Sequence, residues 1–137
     1  MKVNKTFKFS LEPNNTQKVL INKTLGCCRF LYNQMLEERQ SKYKLKDKSK
    51  CKTEKQYKKE FDFLREVDSI SLQQTRIDLE TSYKNFFRNI KKGIKTNLKF
   101  KSRKNPKNSY RTVNSHNSIR IKENKIKLPK LSFVKFC

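Results

Sequence analysis

Apolar residues along this chain recur with two periods. In "KVNKTFKFSL", Val3, Phe7, Phe9 and Leu11 share one parity, which predicts a strand with one buried face that ends at Pro13. From Asn14 to Tyr43 the period changes. Leu20, Thr24, Cys27, Leu31 and Met35 fall three or four residues apart, the signature of one helix face. Asn14 or Thr16 is placed to cap that helix. Gly26 lies inside it, where it predicts a kink or a close helix–helix approach. After a lysine-rich loop, Thr53 and Gln56 form a capping-box pattern. They open a short helix with Tyr57, Phe61 and Leu64 on one side. A third helix starts near Asp68. Its apolar seam runs through Leu72, Thr75, Leu79, Tyr83, Phe86 and Ile90, and Gly93 suits its C-terminal cap.

Beyond Gly93 the alternation has period two again. "LKFKS" alternates, and so does "SIRIKENKIKLPKL". There Ile119 and Ile121, a turn at Glu123–Asn124, then Ile126 and Leu128 predict a hairpin with one apolar and one Lys/Arg face. The order is one strand, three helices, then several strands. A lone ribbon is marginal, so the first strand is expected to pair with the last ones. The helices then become an insertion in a small β domain, an α+β fold.

Charge narrows the partners. The 137 residues include 35 Lys+Arg against 12 Asp+Glu, a formal net charge of +23, which favours a polyanion. The absence of Ala and Trp beside abundant Lys and Asn points to an A/T-rich coding genome, so part of the lysine excess reflects codon use. No run of 18 apolar residues predicts a membrane span, and "MKVNKTFKFSL" lacks the apolar core of a signal peptide. A cytoplasmic protein without a membrane partner is expected, nucleoid-associated when on DNA. Cys27, Cys28, Cys51 and Cys137 form no CxxC pair and His116 is the single histidine, so buried thiols are favoured over a metal site, and no cofactor is expected.

The stretch 91–111 holds nine Lys or Arg and no acid. Lys99, Lys101, Arg103, Lys104 and Lys107 suit phosphate contacts. Tyr110 offers stacking and Arg111 a guanidinium fork, and Arg120 lies on the basic side of the hairpin. The run Asn114–Ser118 has short amides and hydroxyls that suit either base edges or Asx and Ser turns.

Five segments carry a resemblance. "FKFSLEPNNTQ", "INKTLGCCRFLYNQML", "FLREVDSISLQQTRIDLETSYKNFFR", "SYRTVNSHNSIRI" and "KIKLPKL" run in the order seen in the N-terminal part of TnpB, the transposon-encoded RNA-guided nuclease family. The resemblance implies a small antiparallel β-barrel, the wedge domain, over about 1–12 and 93–137. A three-helix recognition domain, the region of a helix-turn-helix designation, would fill 13–92. It implies a guide RNA from the transposon end and target DNA as partners. It also implies that Ser69, Ile70, Gln73, Ser115 and His116 read the target-adjacent motif, Gln73 through an amide suited to adenine.

Family members continue into a nuclease domain with metal-binding carboxylates and a zinc ribbon. Here Glu123 is the one acid after Asp78 and Glu80, and no set of acids is placed to hold two metals. The chain is therefore expected to bind without cleaving. Two other classes fit the composition: a sequence-specific helix-turn-helix DNA binder and a general RNA-binding structural protein. The first needs a short turn between two recognition-sized helices, and Gly26 lies within continuous periodicity.

Overall fold

Asn14 and Gln17 close the start of the longest helix reciprocally. Gln17 Oε1 accepts from the Asn14 N–H at 2.9 Å, and Asn14 Oδ1 accepts from the Gln17 N–H at 2.8 Å. The computed structural model describes residues 2–104 and 109–137. Its elements in order are β1 (Leu11–Glu12), α1 (Asn15–Lys44), α2 (Glu54–Glu60), a 3₁₀ turn (Asp62–Glu66), α3 (Ser69–Lys91), β2 (Arg120–Lys122), β3 (Lys125–Leu128) and β4 (Ser132–Phe136). Two compact units result. One joins the residues up to Ile21 with Asn114–Cys137, and the other is Asn22–Val113.

The first unit holds an antiparallel sheet of order β1-β4-β3-β2. The predicted hairpin is present. Lys122 pairs with Lys125 across a two-residue turn, and Glu123 takes the positive φ of 55° that such turns require. A second turn brings back β4, with Leu131 N–H bonded to the Leu128 carbonyl at 3.1 Å. Ile121, Ile126 and Val134 align across three strands, and Val134 is fully buried. The first strand pairs with β4, as the sequence pattern required. It is much shorter than predicted, however. Leu11 is opposite Phe136, and Val3, Phe7 and Phe9 are exposed. The sheet is open among the described residues, with β1 and β2 at its edges.

The second unit is built on the predicted helix faces. Cys27, Leu31, Tyr32, Met35 and Leu36 of α1 pack with Tyr57, Leu64, Val67, Leu72 and Leu79. The segment after Thr53 is not one helix. α2 stops at Glu60, Phe61 turns to an extended conformation, and the 3₁₀ turn delivers Leu64 to the core. Phe61 and Phe63 lie edge-on to Phe30, at centroid distances of 4.9 and 5.0 Å. Gly26 marks no close helix–helix approach. α1 continues through it, and an added Cβ would meet only the Arg29 side chain at 3.7 Å. At the end of α3, Gly93 adopts φ 75°. Its N–H bonds to the Ile90 carbonyl and that of Ile94 to the Asn89 carbonyl, the paired bonds of a Schellman cap.

The units divide at 21/22 and 113/114; the resemblance puts the bounds of its two domains at about 12/13 and 92/93. Each division has a local cause. The Gln17 amide donates to the Leu131 and Phe133 carbonyls at 3.1 and 2.8 Å, which ties the start of α1 to β4. "LKFKS" is not a strand. It lies along α1, where the Asn33 amide bonds to both backbone groups of Lys101, at 2.7 and 2.9 Å, and Leu98 packs on the core.

Candidate nucleic-acid interface

Strand parity and register define the main cationic surface. Side chains alternate along a strand, and directly opposed residues share a face. Arg120 is opposite Lys127, which is opposite Phe133; Lys122 is opposite Lys125, which is opposite Lys135. Arg120, Lys122, Lys125, Lys127 and Lys135 therefore lie on one face with Phe133, and Glu12, opposite Lys135, is the single acid among them. Like charges directly opposed across strands destabilise a sheet. A face of this kind gains from a polyanion, which removes the repulsion. Of these cations, the motif reading found only Arg120, whose Nε donates to the Asn117 carbonyl at 3.0 Å. The others were available in the parity of 120/122, 125/127 and 133/135, but the number and register of strands were needed to put them together.

The loop before this hairpin is a turn built from its own side chains. Ser118 N–H bonds to the Ser115 carbonyl at 3.0 Å, and His116 and Asn117 between them take φ 53° and 58°. Positive φ at both central positions is the requirement of a type I′ turn. Asn114 Oδ1 accepts from the Ile119 N–H and Ser118 Oγ from the Ser115 N–H. The run Asn114–Ser118 thus makes the turn that its composition allowed. His116 stands exposed at the tip.

In the helical unit, the basic stretch is held more tightly than a linker. The Lys101 ammonium sits over the Tyr32 ring, 4.4 Å from its centroid. Arg111 is ion-paired with Asp78, and Thr112 donates to Asp68. Tyr110 is half-buried, hydrogen-bonded with Thr24, and burial raises its hydroxyl pKa. Three residues of this unit that are expected to meet nucleic acid therefore carry protein contacts: Lys101, Tyr110 and Arg111. Lys99, Arg103 and Lys104 are exposed, and Lys107 lies outside the described residues.

Ser69 and Ile70 form the first turn of α3, and Gln73 follows, half-buried. The Ile70 N–H is taken by the Asp68 carboxylate at 3.0 Å. That acid complements the helix dipole at the N-terminus of α3. Ser69, Ile70 and Gln73 belong to the helical unit, Ser115 and His116 to the sheet unit. The cysteines are free thiols. Cys27 is buried, which pushes its thiol up to about 11, and Cys28 is raised mainly by burial as well.

Residues 1–48 match a family of helix-turn-helix domains of the OrfB insertion-sequence type. The chain is 35% identical over 92 residues to a Streptomyces pristinaespiralis protein named "Putative RNA-guided DNA endonuclease". It is 33% identical over 95 residues to "Putative RNA-guided DNA endonuclease InsQ" of Escherichia coli. Over these segments the chain resembles TnpB-type endonucleases. The matches cover 62% and 64% of this chain, but only 23% and 24% of those relatives.

The geometry of the TnpB-type match differs from its domain designation. In this chain residues 1–48 hold β1 and the single continuous helix α1, with no turn between two helices. Sheet and helices, rather than a helix-turn-helix, present the cations.

Proposed function

We propose that this chain is a nucleic-acid-binding portion of a TnpB-type RNA-guided DNA endonuclease, holding guide RNA and the flank of the target DNA. The observation that carries the reading is the sheet face of Arg120, Lys122, Lys125, Lys127 and Lys135 around Phe133. Those cations repel one another until phosphates lie across them, and Phe133 adds an exposed ring among them. In this reading the sheet is part of a wedge-like barrel, and the helical unit serves as the recognition domain. Gln73 is the residue best suited by chemistry to read a base edge, with Ser115 and His116 as shorter contacts. The chain binds and does not cleave, and it works in the cytoplasm on the nucleoid.

The test is titration of the purified chain with structured RNA from the adjacent transposon end, an unrelated structured RNA and a DNA duplex, at several salt concentrations. The expected result is tightest binding to the transposon-end RNA. Changing Lys122, Lys125 and Lys135 together to Gln should lower the slope of log K against log salt by roughly 0.7–0.9 for each lost phosphate contact. Equal affinity for all RNAs would favour a general RNA-binding protein, and tighter DNA binding would favour the helix-turn-helix reading. An unchanged slope would remove the sheet face from the interface.

A further inference from the structure

We propose that the apolar groove at the C-terminal end of α3 is a binding site for unpaired nucleotides of single-stranded RNA. The inference rests on the nucleic-acid-binding reading and adds a second surface that engages bases rather than phosphates alone.

The α3 seam is covered over its first half and open over its second. Leu72 and Leu79 are fully buried, whereas Ile90 is 50% exposed, and Phe87 beside the seam is 57% exposed. Tyr83, Phe86 and Phe87 form one cluster, with Phe86 and Phe87 edge-to-face at 5.4 Å. Beside it an open groove of about 760 Å³ is lined by Phe86, Ile90 and Ile94 together with Lys95 and Lys99. The Schellman cap at Gly93 sets this shape, because it turns the chain back along the end of the helix.

Charge decides the occupant. From Thr81 to Lys122 the sequence has no Asp or Glu, while Lys84, Arg88, Lys91, Lys92, Lys95 and Lys99 surround the aromatic cluster in sequence. A flat apolar surface inside a cationic field suits a polyanion that carries flat apolar faces, which describes unpaired nucleotides. A paired duplex hides those faces in its stack. Thr96 and Asn97 also line the groove and bring a hydroxyl and an amide to its rim. A ribose 2′-OH both donates and accepts, so those groups favour RNA over DNA.

The experiment uses the full chain and a single-stranded RNA oligonucleotide carrying 2-aminopurine, with the matching DNA oligonucleotide as comparison. Binding should quench 2-aminopurine emission as the base stacks, and RNA should bind more tightly than DNA. Phe86→Ala should weaken RNA binding at least about fivefold, the lower end expected for one lost stacking contact, with the salt slope unchanged because no cation is removed. Phe86→Tyr should restore it. Phe86 and Ile94 both line the groove, so Ile94→Ala examines the same groove through a second variant, with circular dichroism confirming the fold. If the native chain binds RNA and both alanine variants bind equally well, the groove is not the site. Equal affinity for DNA would overturn the assignment to RNA. If the native chain binds no RNA at all, the underlying reading falls with it.

Discussion

Arg111 is ion-paired with Asp78 of α3, although the two residues lie 33 positions apart. Arg111 stands in the most basic stretch of the chain, yet its guanidinium is engaged by one of the few acids. Both side chains are well exposed, so the pair contributes on the order of 0–1 kcal/mol to stability. Asp78→Asn should leave the melting temperature nearly unchanged and free Arg111 for phosphate. Affinity for nucleic acid should rise, with the salt slope steeper by roughly 0.7–0.9. A salt titration of the two proteins checks this; an unchanged slope would mean that Arg111 faces no phosphate.

The sheet face should trade stability against binding. Lys122, Lys125 and Lys135 lie in one cross-strand row. Changing Lys125 to Gln removes two like-charge contacts and should stabilise the fold by a few tenths of a kcal/mol. The same change should weaken nucleic-acid binding. Thermal melts and binding isotherms should therefore move in opposite directions, more so at low salt.

The two glycines should respond with opposite signs. At Gly26 an added methyl meets only a flexible arginine at ordinary contact distance, so Gly26→Ala should stabilise the protein by about 1 kcal/mol. At Gly93 the φ of 75° disfavours any side chain, and Gly93→Ala should destabilise by about 1 kcal/mol. Chemical denaturation of both variants measures the difference.

Glu54 is buried at the start of α2 and accepts from Arg76 Nε at 2.6 Å, while Arg76 also reaches Glu80 at 3.2 Å. Removing the guanidinium leaves a buried carboxylate without its partner. Arg76→Ala should cost about 2–3 kcal/mol, and Arg76→Ala combined with Glu54→Gln should cost less than the sum of the two single changes. A double-mutant cycle by denaturation reads the coupling, and additive costs would show that the pair is not coupled.

The buried thiol gives a pH dependence. Burial is the main cause that holds Cys27 at about 11, above the ordinary thiol value of 9.0. A pKa raised on folding contributes stability that is complete below about pH 9 and is lost as pH rises towards 11. Cys27→Val should flatten that part of the stability curve. In thiol labelling of the folded protein, exposed Cys137 should react well before Cys27.

Much of this architecture was legible locally. The buried α1 face through Thr24, Cys27, Leu31 and Met35, the start of α3 at Asp68, its cap at Gly93 and the Glu123–Asn124 turn all follow from spacing or from one residue's conformational preference. Such signals act over a few residues and survive in the folded protein because the core agrees with them. The Lys/Arg side of the hairpin belongs here too, since parity within each strand and the two-residue turn between them fix which residues share a face.

Tertiary structure decided what each polar or marginal segment does. Alternation in "LKFKS" and around Phe7 resembled strand, but Asn33 takes up the backbone of Lys101, and residues 2–10 form no strand. The fate of Lys101, Tyr110 and Arg111 depended on Tyr32, Thr24 and Asp78. A cation has no preferred partner in sequence. Burial and distance across the folded chain select it, and the same principle assembled five cations from three strands into one face.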